Sequence, residues 1–436
     1  MKYFKQTQLI VKINVLKVAA TLTVVFVMMF SCGLLMAQNR NFPAKSAFRS
    51  GRYRNFFLEA GYKQADIDQK LSKAYHDIFE GPHRVYFEVG DSLGYITDVK
   101  NHDARTEGLS YGMMIAVELN KKDVFDRIWR WSKKYLQHQD GPREGYFAWS
   151  IAPQTLRKNS EGSASDGELY FITSLLFASN RWGNHTGINY YGEAKRILDA
   201  MWKKDGTGGI HNIIDTVHKL IVFTPDGNGA TFTDPSYHLP AFMEVWALYA
   251  KDGHEQFYRD CADSSRSFLH HACDSLTGLN PDLTQFNGLP TSSRFMKPAF
   301  RYDSWRVPMN ISMDYNWFNK DKTWQKNYAK RIQDFMRSKG INNFDDQFNT
   351  DGSPPKDILQ AGGYKKLRHS IGLVATVAST EMIDQDKNHA FIHSLWNAKL
   401  EPYDDGYFDP YYDGLLYLFS LMHLSGKYQI IKPQAH

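Results

Sequence analysis

Apolar residues recur at steps of three and four along most of the chain. Ile67, Leu71, Ala74, Tyr75, Ile78 and Phe79 make the first clear stripe, and Gly81-Pro82 ends it. Similar stretches cover roughly 107–119, 123–137, 166–181, 190–203, 235–250, 255–271, 303–318, 321–338, 367–384, 386–399 and 410–425. The spacing therefore predicts twelve helices. They come in pairs, with short turns inside a pair such as Asn120-Lys121-Lys122 and Asn319-Lys320, and longer connections rich in Gly and aromatic residues between pairs.

Two stretches, Met113-Met114-Ile115-Ala116-Val117 and Ile371-Gly372-Leu373-Val374-Ala375, are apolar all round, as befits helices shielded on every side. Asp126-Arg127 and Lys133-Lys134, on the stretch that follows the first of these, read as an outer face. Six antiparallel pairs of this kind close into a double ring, an all-α (α/α)6 barrel. Lys219–Phe223 and Ala230–Thr233 flank Pro225-Asp226-Gly227-Asn228-Gly229, which predicts a small β-hairpin at one mouth of the ring.

The first 37 residues follow a different pattern. Lys2, Lys5, Lys12 and Lys17 precede an apolar run from Val18 to Met36, and Ala37-Gln38 supplies a small residue before a polar one. This is the layout of a secretory signal cleaved near Gln38. The interrupted run is barely long enough for a retained anchor, and Phe30-Ser31-Cys32 is a poor lipidation site. Residues 38–436 carry no linker or low-complexity tract and read as one domain. Removing the four lysines of the signal lowers the formal charge from +5 to +1. A chain so nearly neutral has no field for nucleic acid or anionic membranes. Cys261 and Cys273 remain, and the sequence is compatible with a bridge or with two buried thiols.

Three acids each open a stretch assigned to the inner ring: Glu107, Asp166 and Asp303. Inner helices of a double ring run parallel, so their starts gather at one mouth. A single acid at a helix start is explained by capping and the helix dipole. Here Arg105, Arg301, Arg306, Tyr111, Tyr302 and Trp305 accompany the three, and such groups are costly to bury without purpose. Glycoside hydrolysis uses a set of this kind. One carboxylic acid protonates the leaving oxygen, and a second carboxylate attacks the sugar or activates a water. Aromatic faces hold the sugar rings, and Trp149 is a candidate platform, or else a core residue. No His-Glu-x-x-His, Gly-x-Ser-x-Gly or phosphate-binding glycine loop is present, and the reading requires no metal or cofactor.

Four segments together resemble glycoside hydrolase family 8. They are Arg105-Thr106-Glu107-Gly108-Leu109-Ser110-Tyr111-Gly112-Met113-Met114, Ser165-Asp166-Gly167-Glu168-Leu169-Tyr170, Tyr302-Asp303-Ser304-Trp305-Arg306 followed by Asp314-Tyr315, and Tyr411-Tyr412-Asp413-Gly414-Leu415-Leu416. The resemblance spans essentially all of 38–436 and is closest to the exo-oligoxylanases that release xylose from the reducing end of β-1,4-xylo-oligosaccharides. It implies the (α/α)6 barrel and hydrolysis with inversion. By motif, Glu107 is expected as the general acid and Asp303 as the general base. Asp166 is expected to grip the −1 sugar and help orient the water. Tyr111, Tyr302, Arg306, Trp149 and His369 are expected to contact substrate. Leu367-Arg368-His369-Ser370-Ile371-Gly372 matches the place where similar exo-enzymes block the cleft beyond one leaving sugar, with Ser370 standing where those relatives have a proline. An open-cleft xylanase, β-glucanase or chitosanase, and a binding barrel without catalysis, are the alternative expectations.

Overall fold

The structure, a computed structural model, describes residues 43, 45–293, 298–358 and 366–433. The expected signal, 1–37, and Cys32 lie outside the described residues. Twelve long helices are present among the described residues. They are α1 (Gln64–Phe79), α2 (Thr106–Glu118), α3 (Lys122–Tyr135), α4 (Ser165–Trp182), α5 (Tyr190–Ala200), α6 (Pro240–Tyr249), α7 (Glu255–Ala272), α8 (Arg306–Trp317), α9 (Lys322–Lys339), α10 (Ile371–Ala378), α11 (Ala390–Asn397) and α12 (Tyr412–Leu424). None of the described helices is long and apolar enough to cross a membrane.

Helices α2, α4, α6, α8, α10 and α12 each pack on the next, and α12 packs back on α2, so the inner ring closes. Each has an outer partner: α3, α5, α7, α9, α11 and, for α12, α1. Five pairs are local hairpins. The sixth joins the first helix of the ring to the last, so the two ends of the domain lock the circle. Burial follows this arrangement. Every residue of α10 and α12 is buried, as are all of α2 except Glu107. The outer helices bury one stripe, for example Ile67, Leu71, Ala74, Tyr75, Ile78 and Phe79 of α1. Local signals set the ends. Asn189 caps α5 by accepting from the amide of Gly192, Pro240 occupies the first turn of α6, and Gly183 ends α4 at positive φ.

Two expectations need correction. Asp126 does not face solvent: it is buried, accepting from the Tyr190 hydroxyl at 2.5 Å and from Lys122 at 2.6 Å. The predicted 219–233 hairpin is also rearranged. Strand Leu220–Ile221 pairs instead with Ile214–Asp215, and Gly227–Thr231 forms a 3₁₀ turn. A single backbone bond, from Phe223 to Phe232, survives at the place of the expected ladder, with a turn bond from Thr224 to Gly229. Asp226 stays in the turn, its carbonyl accepting from the Gly229 amide, but its carboxylate is tied outside it, accepting from Arg143 and from the Ser163 amide. Cys261 and Cys273 are separate buried thiols.

Candidate active site

All six inner helices start at the same mouth, and the groups of interest converge there. Glu107 lies in the first turn of α2 and Asp166 in that of α4. Asp303 sits in a 3₁₀ turn, Tyr302–Trp305, that leads into α8. Arg306, the first residue of α8, holds the three together. Its Nη1 donates to Glu107 at 3.0 Å, to Asp166 at 2.8 Å and to the Tyr111 hydroxyl at 3.0 Å. Its Nη2 donates to the Ser236 hydroxyl at 2.7 Å and pairs with Asp303 at 3.2 Å. A planar, permanently charged fork is the group suited to arrange several carboxylates in this way.

Two carboxylates on different nitrogens of one guanidinium have a bounded separation. Adding the span of the group to its two hydrogen bonds puts the facing oxygens of Glu107 and Asp303 no more than roughly 8–9 Å apart. Both residues line a cleft of about 280 Å³, with Asp98, Asn101, Arg105, Tyr302, Tyr407, Asp409, Tyr411 and Tyr412. The Asp303 side chain is 27% exposed and that of Glu107 15%, whereas Asp166 and Arg306 are buried behind them.

The electrostatics separate the acids. Burial is the largest influence on Glu107 and pushes its pKa up. The charges of Asp166 and Asp303 push the same way, Arg306 and Arg105 oppose, and the group comes out at about 8. The Tyr411 hydroxyl donates to its Oε1 at 3.0 Å while Arg306 donates to Oε2, so each oxygen keeps one further position, and in the protonated form one of these carries the acid proton. Asp166 is also raised, by burial first and then by Asp303, against the pull of Arg306.

Backbone strain lies next to Asp303. Tyr302 has a φ of 38°, unusual for a bulky residue, and its carbonyl accepts from the Tyr412 hydroxyl at 2.9 Å. Arg301, just before it, is held by Asp282 at 3.0 Å.

The other expected residues divide. Tyr302 lines the cleft. Trp149 is half-buried rather than a core residue, with the Arg105 guanidinium 5.8 Å from its ring centre. Tyr111 and Arg306 were expected on the substrate. Instead Tyr111 is 1% exposed beneath Arg306, and Arg306 is spent on the acids, so both act on the site from behind. His369 is absent from the cleft lining. Its Nδ1 meets the Phe344 carbonyl at 2.8 Å and its ring packs edge-on against Phe344. The loop around it is pinned without a proline. Arg368 pairs with Asp405, Ser370 donates to Asp346, and Tyr403 accepts from the Ile371 amide.

Sequence reasoning missed the turn before α6. Asp234 there is buried beside Asp303 and caps a 3₁₀ turn that carries Ser236 and Tyr237, and the Tyr237 ring lies 5.5 Å from the Arg306 guanidinium. The Asp234-Pro235 step is a turn signal that could have revealed it. Tyr411, quoted for its motif alone, is a direct partner of Glu107.

The chain is similar to known proteins over most of its length. The profile of glycosyl hydrolases family 8 matches residues 94–423. The reducing-end xylose-releasing exo-oligoxylanase Rex8A of Paenibacillus barcinonensis is 36% identical over 89% of this chain and 100% of its own length. A reducing end xylose-releasing exo-oligoxylanase of Halalkalibacterium halodurans is 37% identical over 89% of this chain and 97% of its own. The solved structure of a Rex8A mutant complexed with 3(3)-alpha-L-arabinofuranosyl-xylotetraose superposes with a TM-score of 0.82 at 35% identity, covering 90% of this chain and 100% of that one. A closed double ring with acids gathered on one arginine at its mouth, and a family match across three quarters of the sequence, lead to one conclusion: this chain is a glycoside hydrolase and belongs to family 8.

Proposed function

We propose that the enzyme releases xylose from the reducing end of β-1,4-xylo-oligosaccharides with inversion, Glu107 acting as general acid and Asp303 as general base. The observation that carries this reading is the pair of acids facing one cleft from opposite nitrogens of Arg306. Inversion needs the two carboxyls ~6.5–9.5 Å apart to admit a water, and the upper bound set by Arg306 is compatible with that spacing. Glu107, with a pKa of about 8, keeps its proton at neutral pH and can give it to the leaving oxygen. Asp303, more exposed, takes the proton of the attacking water. Asp166 reaches the −1 sugar from below and adds the negative charge that helps Glu107 hold its proton. Trp149 does not line the cleft itself; its half-buried ring lies behind Arg105, which does, and we assign it to holding a sugar beyond that wall. The names of the relatives support xylose as the sugar and exo action as the mode.

His369 is the group we assign to limiting the leaving side to one sugar, its ring fixed by Phe344 and its loop by Arg368, Ser370 and Tyr403. Residues 1–37 are assigned to export, and 38–436 to a single catalytic domain. Xylotriose labelled at its reducing end, followed by mass, tests the reading. Labelled free xylose and unlabelled xylobiose are expected. Internal cuts in long xylan would favour an endo-acting family member instead, and His369→Ala is expected to move the enzyme in that direction.

A further inference from the structure

A second cavity of about 550 Å³ lies on the catalytic side of the barrel, between the connection that leads into α6 and the one that leads into α8. It shares no lining residue with the cleft. Phe232, Phe286 and His218 present rings to it, and Asn228, Gln285 and Asn287 present amides. Among the described residues, no ionisable side chain other than His218 lines it, and the His218 ring is already held by Asp215 at 2.8 Å. Aromatic faces beside neutral amides match a ligand with apolar C–H faces and many hydroxyls, and offer nothing to an anion or a cation.

The walls are fixed before any ligand arrives. Thr233 and Thr284 exchange both backbone hydrogen bonds at 2.9 Å, and the Thr291 amide donates to Leu283 at 3.0 Å. The turn that carries Phe286 and Asn287 is closed by Gln285 donating to the Leu289 carbonyl at 2.8 Å. That turn passes so close to α7 that a Cβ on Gly288 would meet the His271 backbone at 2.7 Å. An aromatic stack forms the partition toward the catalytic group. Phe232 lies on Phe223 at 5.2 Å, Phe223 on Tyr237 at 6.0 Å, and Tyr237 beside Arg306.

We propose that this cavity is a second carbohydrate-binding site, holding a neutral β-linked xylan chain on the catalytic face outside the cleft. The choice of xylan rests on the proposed function; the choice of a neutral sugar chain rests on the lining. The test compares the full-length enzyme with Phe286→Ala and Asn287→Ala, by retention in native gels containing soluble xylan and by kcat/KM on xylotriose. Loss of one stacked ring is expected to weaken retention roughly fivefold to tenfold, with Asn287→Ala weaker in the same direction. Cleavage of xylotriose, which the cleft alone can hold, is expected to stay unchanged. Retention equal to that of the parent in both variants overturns the site, as does an equal loss of xylotriose cleavage, which would make these residues part of the catalytic cleft. A parent enzyme that fails to cleave xylotriose counts against the proposed function, while its retention still decides the site.

Discussion

Glu107 is pulled in opposite directions, by burial and two neighbouring acids toward holding its proton and by Arg306 and Arg105 toward losing it. With the balance at about 8, the acid form dominates at neutral pH, and kcat is expected to fall as pH rises through that value. Asp166→Asn removes one of the two negative charges that favour the proton, so the alkaline limb of the profile is expected to move to lower pH. A limb that stays in place would mean that Asp166 does not act on Glu107 through its charge. Glu107, Asp166 and Asp303 were legible in the sequence because each opens a strongly periodic stretch, and parallel inner helices bring their starts together. Depth was not legible. Tyr111 stands one turn after Glu107, which announces proximity to the site but not whether the ring faces sugar or core. Asp234 and Tyr237 were hidden for another reason. The 235–250 stretch was read as helix from its first residue, whereas the helix begins at Pro240 and the residues before it form the 3₁₀ turn at the site.

At the level of elements, glycine decides how closely the inner helices meet. A Cβ on Gly167 of α4 would lie 2.5 Å from the Thr106 side chain at the start of α2, and one on Gly108 would lie 2.3 Å from the Tyr411 ring. These contacts set the spacing of Asp166 and Glu107 around Arg306 and let the Tyr411 hydroxyl reach Glu107. Gly167→Ala is expected to part α2 from α4 at the mouth and to lower kcat by roughly tenfold or more, since small misplacements of reacting groups are costly. Its effect on the melting temperature is expected to be modest, because the helices below that point keep their packing. A variant with full kcat would show that this close approach does not govern catalysis. Periodicity revealed all twelve helices, most to within a few residues, although α6 starts five residues late at Pro240 and α10 spans only Ile371–Ala378 of the expected 367–384, with a 3₁₀ turn after it. It failed on the 219–233 hairpin because a turn-rich run says where the chain reverses, not which segment it pairs with. There Asp226 is tied to Arg143, 83 positions earlier, and no local pattern carries that information.

On the scale of the whole molecule, the ring is sealed by its first and last helices and is lined with acids that burial keeps neutral. Glu168 is one of these, raised to about 8 chiefly by burial while its Oε1 accepts from the Phe147 amide. A carboxyl whose folded pKa exceeds the unfolded value of about 4.3 contributes stability that is complete below that value and is lost as pH rises through the folded one. The melting temperature of the parent is therefore expected to fall by about a few °C more than that of Glu168→Gln between roughly pH 5 and pH 9. Parallel curves would show that Glu168 is ionised in the fold. The motif residue Asp314 belongs to the scaffold as well. It lies in the ring wall, accepting a two-pronged bond from Arg266 of α7 at 2.9 and 2.7 Å. The central claim is that Glu107 and Asp303 work from opposite faces of one sugar with a water between them. Proton NMR of xylotriose during the first turnovers reads this directly, through the anomeric configuration of the newly formed reducing end of xylobiose. The α-anomer is predicted to appear first and then mutarotate; initial formation of the β-anomer would contradict the account.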